Sequence, residues 1–204
     1  MHNNFFRRWK HRWSTFFRRQ KEKTIKSDKS RIREEIKRLK FLLSSAEKNA
    51  QAEAVFRKIE EFPEFRNAKT VLLYWSMPDE LPTHDFIKKW SPEKTILLPV
   101  VKGDHMTVRV FTSEEDLQKG KWSTLEPTSL HGPQIADLVI VPGVAFDYNK
   151  QRLGRGGGYY DRYLKHKHIP KWGIGFNFQL YESIPSASFD IHMDKIITPD
   201  RTLE

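Results

Sequence analysis

The chain has 204 residues, of which 38% are hydrophobic, 30% charged and none cysteine. That length suits one domain with a sizeable core, and the composition excludes disulfide frameworks, thiolate metal sites and cysteine nucleophiles. No apolar run approaches the roughly 20 residues that cross a bilayer, so a soluble protein of a reducing compartment, the cytoplasm, is expected. The net charge of +10 is uneven: residues 1–26 hold nine Lys/Arg against Glu22, and the remaining chain carries only +2.

The first 26 residues place Phe5, Phe6, Trp9, Trp13, Phe16 and Phe17 among arginines and lysines. Steps of three and four predict a basic amphipathic helix, suited to an acidic membrane surface or to docking on a protein partner. An organelle transit peptide and a mobile extension without specific function are the competing readings. From residue 27 the pattern becomes regular. Ser27 or Asp28 can cap a helix whose apolar face carries Ile32, Ile36, Leu39 and Leu43. Ser44 with Glu47 forms a capping box for a second helix, with Val55, Ile59 and Phe62 inward, ending before Pro63. The chain therefore divides into an extension, 1–26, and a single α/β catalytic domain, 27–204.

Thr70 to Trp75 reads as the first strand and runs into the turn-rich stretch Ser76–Pro82. Thr83 is placed to cap a helix through Trp90. Strands follow at Lys94–Val101, Met106–Phe111, Leu138–Val141, Trp172–Phe178 and Lys195–Thr198. Residues 112–136 are polar and read as a connecting excursion. Continuous apolar strands interleaved with helices predict a mainly parallel sheet with helices on both faces, a Rossmann-like three-layer architecture. Ligands of such sheets bind beyond the carboxyl ends of the strands, where both the 76–82 loop and a glycine loop are expected to lie.

That glycine loop is the densest feature of the chain: Arg152-Leu-Gly-Arg-Gly-Gly-Gly-Tyr-Tyr-Asp161 holds four of its ten glycines, Gly154, Gly156, Gly157 and Gly158. A strand before it and a helix from Tyr159 to His166 after it would aim backbone N–H groups at an anion. Arg152 and Arg155 supply cations, and Asp161 a carboxylate suited to Mg²⁺. The spacing is neither a Walker A loop nor a dinucleotide fingerprint. A glycine-rich surface loop is the competing reading. The eight histidines are scattered without a zinc-site spacing.

Pro142-Gly-Val-Ala-Phe-Asp147 together with Arg152–Asp161 closely resembles the motif of the 5-formyltetrahydrofolate cyclo-ligase family, also called 5,10-methenyltetrahydrofolate synthetases. The resemblance runs from about Lys29 to Asp200 and includes Lys29-Ser-Arg-Ile-Arg33, Ser76-Met-Pro-Asp-Glu80 with Thr83, and Asp190-Ile-His-Met-Asp194. It implies an ATP- and Mg²⁺-dependent enzyme that cyclises 5-formyltetrahydrofolate to 5,10-methenyltetrahydrofolate through a phosphorylated formyl group, releasing ADP and phosphate. Such chemistry needs positioned cations rather than a side-chain nucleophile.

By matching motifs, Lys29 and Arg33 resemble an ATP-contacting pair one helical turn apart, a solvated basic face being the alternative. Arg152, Arg155 and the Gly154–Gly158 backbone look like the triphosphate cradle, flanked by Tyr159 and Tyr160, and these four side chains are the catalytic candidates. Asp161 and Asp190 resemble Mg²⁺ ligands, with a helix-surface ion pair and a turn cap as the respective alternatives. Glu80 matches the acid that holds the pterin of a reduced folate; Trp75, Met77 and Tyr159 are its candidate neighbours, with core packing equally open for the aromatics. Two departures stand out. Phe189 occupies the position where the family usually has His, and the extension has no counterpart in the usual pattern.

A non-catalytic binding protein that uses its basic aromatic tail is the alternative function. The nearly balanced charge of the main body argues against nucleic acid as a partner. A sugar-phosphate isomerase would require a dedicated base, which the motifs do not supply.

Overall fold

The computed structural model describes the backbone of residues 3–121, 124–129, 132–133, 135–187 and 190–204, with side chains from residue 20 onward within these ranges. Helix α1 (Asn3–Leu42) leads into α2 (Ser45–Glu61) and the short α3 (Pro63–Asn67). Then come β1 (Thr70–Leu72), α4 (His84–Trp90), β2 (Thr95–Lys102), β3 (His105–Val110) and the hairpin β4 (Leu117–Lys119) with β5 (Leu125–Pro127). The second half holds β6 (Leu138–Pro142), β7 (Ala145–Asp147), β8 (Arg152–Leu153), α5 (Tyr159–Leu164) and β9 (Lys171–Ile174). It closes with β10 (Leu180–Tyr181), β11 (Lys195–Ile197) and β12 (Thr202–Leu203).

Seven strands form one sheet in the order β12-β11-β9-β6-β1-β2-β3. The five inner strands are parallel, and β3 and β12 run antiparallel at the edges. Alternation along the strands fixes which side chain meets which layer. Val71, Leu73, Ile96, Leu98, Leu138, Ile140 and Trp172 point to one face, where α2, α3 and α4 deliver Val55, Phe56, Ile59, Phe65, Phe86 and Ile87. Leu72, Leu97, Val139, Val141 and Ile196 point to the other, against Phe146, Leu164, Ile169 and Met193. The expected α/β sheet covered on both faces is therefore present, although the second cover is thin. It consists of the six-residue α5, the loops and Phe146 from a separate small sheet, β10-β7-β8.

Helix α1 packs on that small sheet, with Ile32 and Ile36 against Val144, Ala145, Leu153 and Ile184. It runs without interruption through residue 27, so the expected helix start at Ser27 or Asp28 is corrected. No Gly or Pro occurs before Pro63, and a capping residue starts a helix only where the preceding chain departs from helical geometry. By contrast, the Ser44–Glu47 capping box is formed. Thr83 stands at the N-cap of α4 without a side-chain cap bond. Its Oγ1 donates to Tyr74 O at 2.6 Å and accepts from Ser76 N at 3.1 Å, which ties down the 76–82 loop instead. Strand β1 ends at Leu72 and β9 at Ile174, short of Trp75 and Phe178; Phe176 starts a 3-10 turn held by Gln179. The 112–136 excursion contains the β4-β5 hairpin.

Candidate active site

The glycine loop follows β8 of the small sheet rather than β6 directly, a correction to its expected place on the main sheet. Gly156 and Gly158 have φ of +110° and +65°, values that an L side chain rarely adopts. Gly158 is the N-cap of α5, so the chain turns sharply and exposes the loop backbone. Arg152 is buried behind it: Nε donates to Pro142 O at 2.8 Å, a terminal nitrogen lies 3.6 Å from Asp161 Oδ1, and the guanidinium sits 5.2 Å from the Tyr160 ring centre. Burial works against the Arg152 charge, and Asp161 supports it.

Arg155 reaches across to the 76–82 loop. Its Nε donates to Glu80 Oε1 at 3.2 Å, and a terminal nitrogen donates to Asp79 Oδ1 at 2.7 Å and to Glu80 Oε1 at 3.1 Å. Burial opposes the charge here too, yet the two carboxylates outweigh it and hold the guanidinium above its ordinary value. Glu80 is oriented from its other oxygen, which accepts from Met77 N at 3.0 Å. The glycine loop and the loop that carries the candidate folate acid thus meet in one cleft.

Helix α1 forms a wall of that cleft. Lys29 is ion-paired with Asp190, and Arg33 Nε donates to Gly154 O at 3.0 Å. Burial lowers the Arg33 pKa while Asp190 counteracts it. One residue outside the expected set shares this stripe: Lys40, whose side chain is 4% exposed, lies 3.9 Å from Asp79 Oδ2. Burial pulls Lys40 below the usual lysine range, against the support of Asp79. Burial likewise opposes ionisation of Asp79, but Arg155 and then Lys40 hold it below the usual carboxylate range. Positions 29, 33 and 40 are spaced by four and seven, the helical period that could have revealed Lys40. Asp79 had only its place beside Glu80 as a signal.

Asp190 Oδ2 accepts from Ala187 N at 2.7 Å, and the next amide, Ile191 N, donates to Asp161 Oδ1 at 3.3 Å. Asp161 and the segment that carries Asp190 are therefore joined. Among the described residues no cluster of three or more His, Cys, Asp or Glu could enclose a metal ion. Two carboxylates on adjoining segments suit an Mg²⁺ ion that keeps several waters and takes its remaining ligands from outside the protein. Tyr160 supplies a second sign of fit: its hydroxyl is buried with no hydrogen-bond partner among the described residues, and burial raises its pKa far above the ordinary tyrosine value. A native buried hydroxyl left unpaired calls for a ligand or water that pairs it.

The remaining candidates spread outward. Tyr159 turns to the β2–β3 connection, its hydroxyl donating to Gly103 O at 3.3 Å and accepting from Lys121 Nζ at 3.1 Å. Trp75 is buried and stacks on His84, ring centres 4.1 Å apart, and on Phe111 at 5.5 Å. Met77 is half-buried at the start of the Glu80 turn. Phe189 lies outside the described residues.

The profile of the 5-formyltetrahydrofolate cyclo-ligase family matches residues 25–199. A probable 5-formyltetrahydrofolate cyclo-ligase of Caenorhabditis elegans is 33% identical over 198 residues, covering 88% of this chain and 96% of the relative. The 5-formyltetrahydrofolate cyclo-ligase of Mus musculus is 30% identical over 195 residues, covering 87% and 96%. An Arabidopsis thaliana relative, 26% identical, is described as mitochondrial. The solved 5,10-methenyltetrahydrofolate synthetase of Aquifex aeolicus superposes with a TM-score of 0.77 at 32% identity, covering 86% of this chain and 92% of that one. With its sheet, glycine loop and facing acidic turn in place, the chain belongs to the 5-formyltetrahydrofolate cyclo-ligase family of ligases.

Proposed function

We propose that this chain cyclises 5-formyltetrahydrofolate to 5,10-methenyltetrahydrofolate with consumption of ATP and release of ADP and phosphate. The observation that carries the proposal is the bridge from Arg155 of the glycine loop to Glu80 of the facing loop, because it brings a glycine- and arginine-rich loop suited to phosphate against a carboxylate suited to a pterin. Lys29, Arg33, Arg152, Arg155 and the Gly154–Gly158 backbone hold the triphosphate. Arginine suits this, since it keeps its charge and can bridge two oxygens. Asp161 and Asp190 would hold Mg²⁺, which when bound supplies charge neutralisation on the phosphate oxygens.

Glu80 accepts from the amino and ring N–H groups of the pterin, with Trp75 and Met77 behind it and Tyr159 at the rim. The formyl oxygen takes the transferred phosphoryl group, N10 closes onto the activated carbon, and phosphate departs with that oxygen. The side chains contribute position and charge rather than a nucleophile. The Tyr160 hydroxyl gains its missing partner from a bound phosphate or formyl oxygen. The reaction is placed in the cytoplasm, and residues 1–26 take no part in it.

The test is growth of methenyl-folate absorbance when the folded protein meets 5-formyltetrahydrofolate, Mg²⁺ and ATP. The expected result is a signal that depends on ATP; no turnover from a folded sample would overturn the assignment.

A further inference from the structure

Residues 3–24 of α1 hold none of the candidate site residues. The helix continues from Leu42 back to Asn3; among the described side chains Gln20 to Thr24 are all exposed, and Ile32 is the first of α1 in the apolar cluster on the small sheet. Residues 3–24 therefore extend the helix by about 33 Å at 1.5 Å per residue. At about 100° per residue, Phe5, Phe6, Trp9, Trp13, Phe16 and Phe17 fall within a sector of about 120°. By the same count, Ile32, Ile36 and Leu39, the positions that meet the body, fall outside that sector, centred about 130° from its middle. Phe41 and Leu42 return to the aromatic sector, and they are 89% and 75% exposed.

Arg7, Arg8, Lys10, Arg12, Arg18 and Arg19 occupy the flanks and back of the aromatic sector, and no acid occurs before Glu22. We infer that residues 3–19 form a docking surface for an anionic lipid membrane, on which the helix lies flat. The aromatics enter the boundary between headgroups and acyl chains, and the basic residues meet the lipid charge. Both halves of the chemistry are needed. Trp and Phe favour the interfacial region, and clustered Lys/Arg are drawn to anionic headgroups within a Debye length. A transmembrane role does not compete, since no described helix is long and apolar enough to span a bilayer. A nucleic-acid duplex would be met through its phosphates by the arginines alone and leaves the continuous aromatic sector without a use.

The test is co-sedimentation of the full chain with vesicles of phosphatidylcholine alone or mixed with phosphatidylserine. At least tenfold greater partition onto the mixed vesicles is expected, falling as salt is raised. The triple change Trp9→Ser, Trp13→Ser and Phe16→Ser, which leaves the charge intact, should abolish partition while the circular dichroism of the body and its turnover stay unchanged. Equal partition onto both vesicles, or full retention by the triple variant, would overturn the inference. So would tighter binding to RNA than to mixed vesicles, or removal of the segment during organelle import. Turnover in the cleft and partition of the helix are separate readouts, so failure of one leaves the other standing.

Discussion

Lys40 and Asp79 offer a quantitative test of how the cleft is held together. The ammonium and carboxylate are 3.9 Å apart, an attraction of about 4 kcal/mol at an effective dielectric of 20. Removing the ammonium from water costs several kcal/mol, and the Lys40 side chain is 4% exposed. The Asp79 side chain is 44% exposed, so solvent screening shrinks the attraction further. The two effects nearly cancel. Lys40→Met, which keeps an apolar stem of similar length, should therefore change stability by less than about 1 kcal/mol in either direction. Asp79→Asn instead leaves the buried ammonium facing Arg155 and Lys48 with its nearest carboxylate gone. The cost should be about 2 kcal/mol, below the 3–5 kcal/mol of a fully buried pair. In the double variant most of that cost disappears, giving a coupling of about 1–2 kcal/mol. Urea denaturation followed by tryptophan fluorescence measures all four corners, provided the slope with urea is unchanged. Additivity within about 0.3 kcal/mol, or greater damage from Lys40→Met than from Asp79→Asn, would refute this account of the pair.

Tyr160→Phe removes a buried hydroxyl that lacks a partner, so it should stabilise the ligand-free protein by about 1 kcal/mol, or about 2–4 °C in Tm, while turnover falls. Calorimetry together with the absorbance assay checks both, and a lower Tm would contradict the assignment of that hydroxyl to a ligand. Asp161→Ala should raise the KM for Mg²⁺-ATP at least tenfold with a smaller effect on folate binding; equal loss of both would remove Asp161 from the metal role. Alkaline stability follows from Tyr74 and Tyr160, whose pKa values burial raises above 10.0. Their contribution is complete below the unfolded value and is lost as pH rises through the folded ones, so Tm should fall above about pH 10, less steeply in Tyr160→Phe. Lys40 acts in the opposite direction, since its lowered pKa relieves the burial penalty as pH approaches 10.5. Deletion of residues 2–26 should leave turnover intact, and a large fall would place the domain boundary earlier.

The sheet was legible because each inner strand is a short apolar run, a pattern that only a two-sided layer accommodates. Strand ends were less so: Leu73 N still donates to Leu97 O at 2.9 Å, but Tyr74 and Trp75 leave the ladder to hold Thr83 and His84. Aromatic composition alone does not distinguish those roles. The helix start at Ser27 failed for a similar reason, because a good cap residue is also tolerated on an exposed helical face. Site residues clustered in sequence, such as Arg152 to Asp161, could be found by spacing. Lys40 shares the helical stripe of Lys29 and Arg33, but its meeting with Asp79 could not be read from spacing, since it depends on how α1 crosses the 76–82 loop.

The charges of the cleft have a common logic. Lys29, Arg33, Lys40, Arg152 and Arg155 face Asp79, Glu80, Asp161 and Asp190, so five cations meet four carboxylates and the ligand-free site is almost neutral. On the proposed function, a triphosphate would exchange ion pairs rather than find free cations. It would draw Lys29 from Asp190 and Arg155 from Asp79 and Glu80, and each exchange would release a carboxylate. Asp190 would then be available to Mg²⁺, and Glu80 to the pterin. The ion pairs that keep buried charges compensated in the protein would in that case couple the arrival of phosphate to the readiness of the folate side.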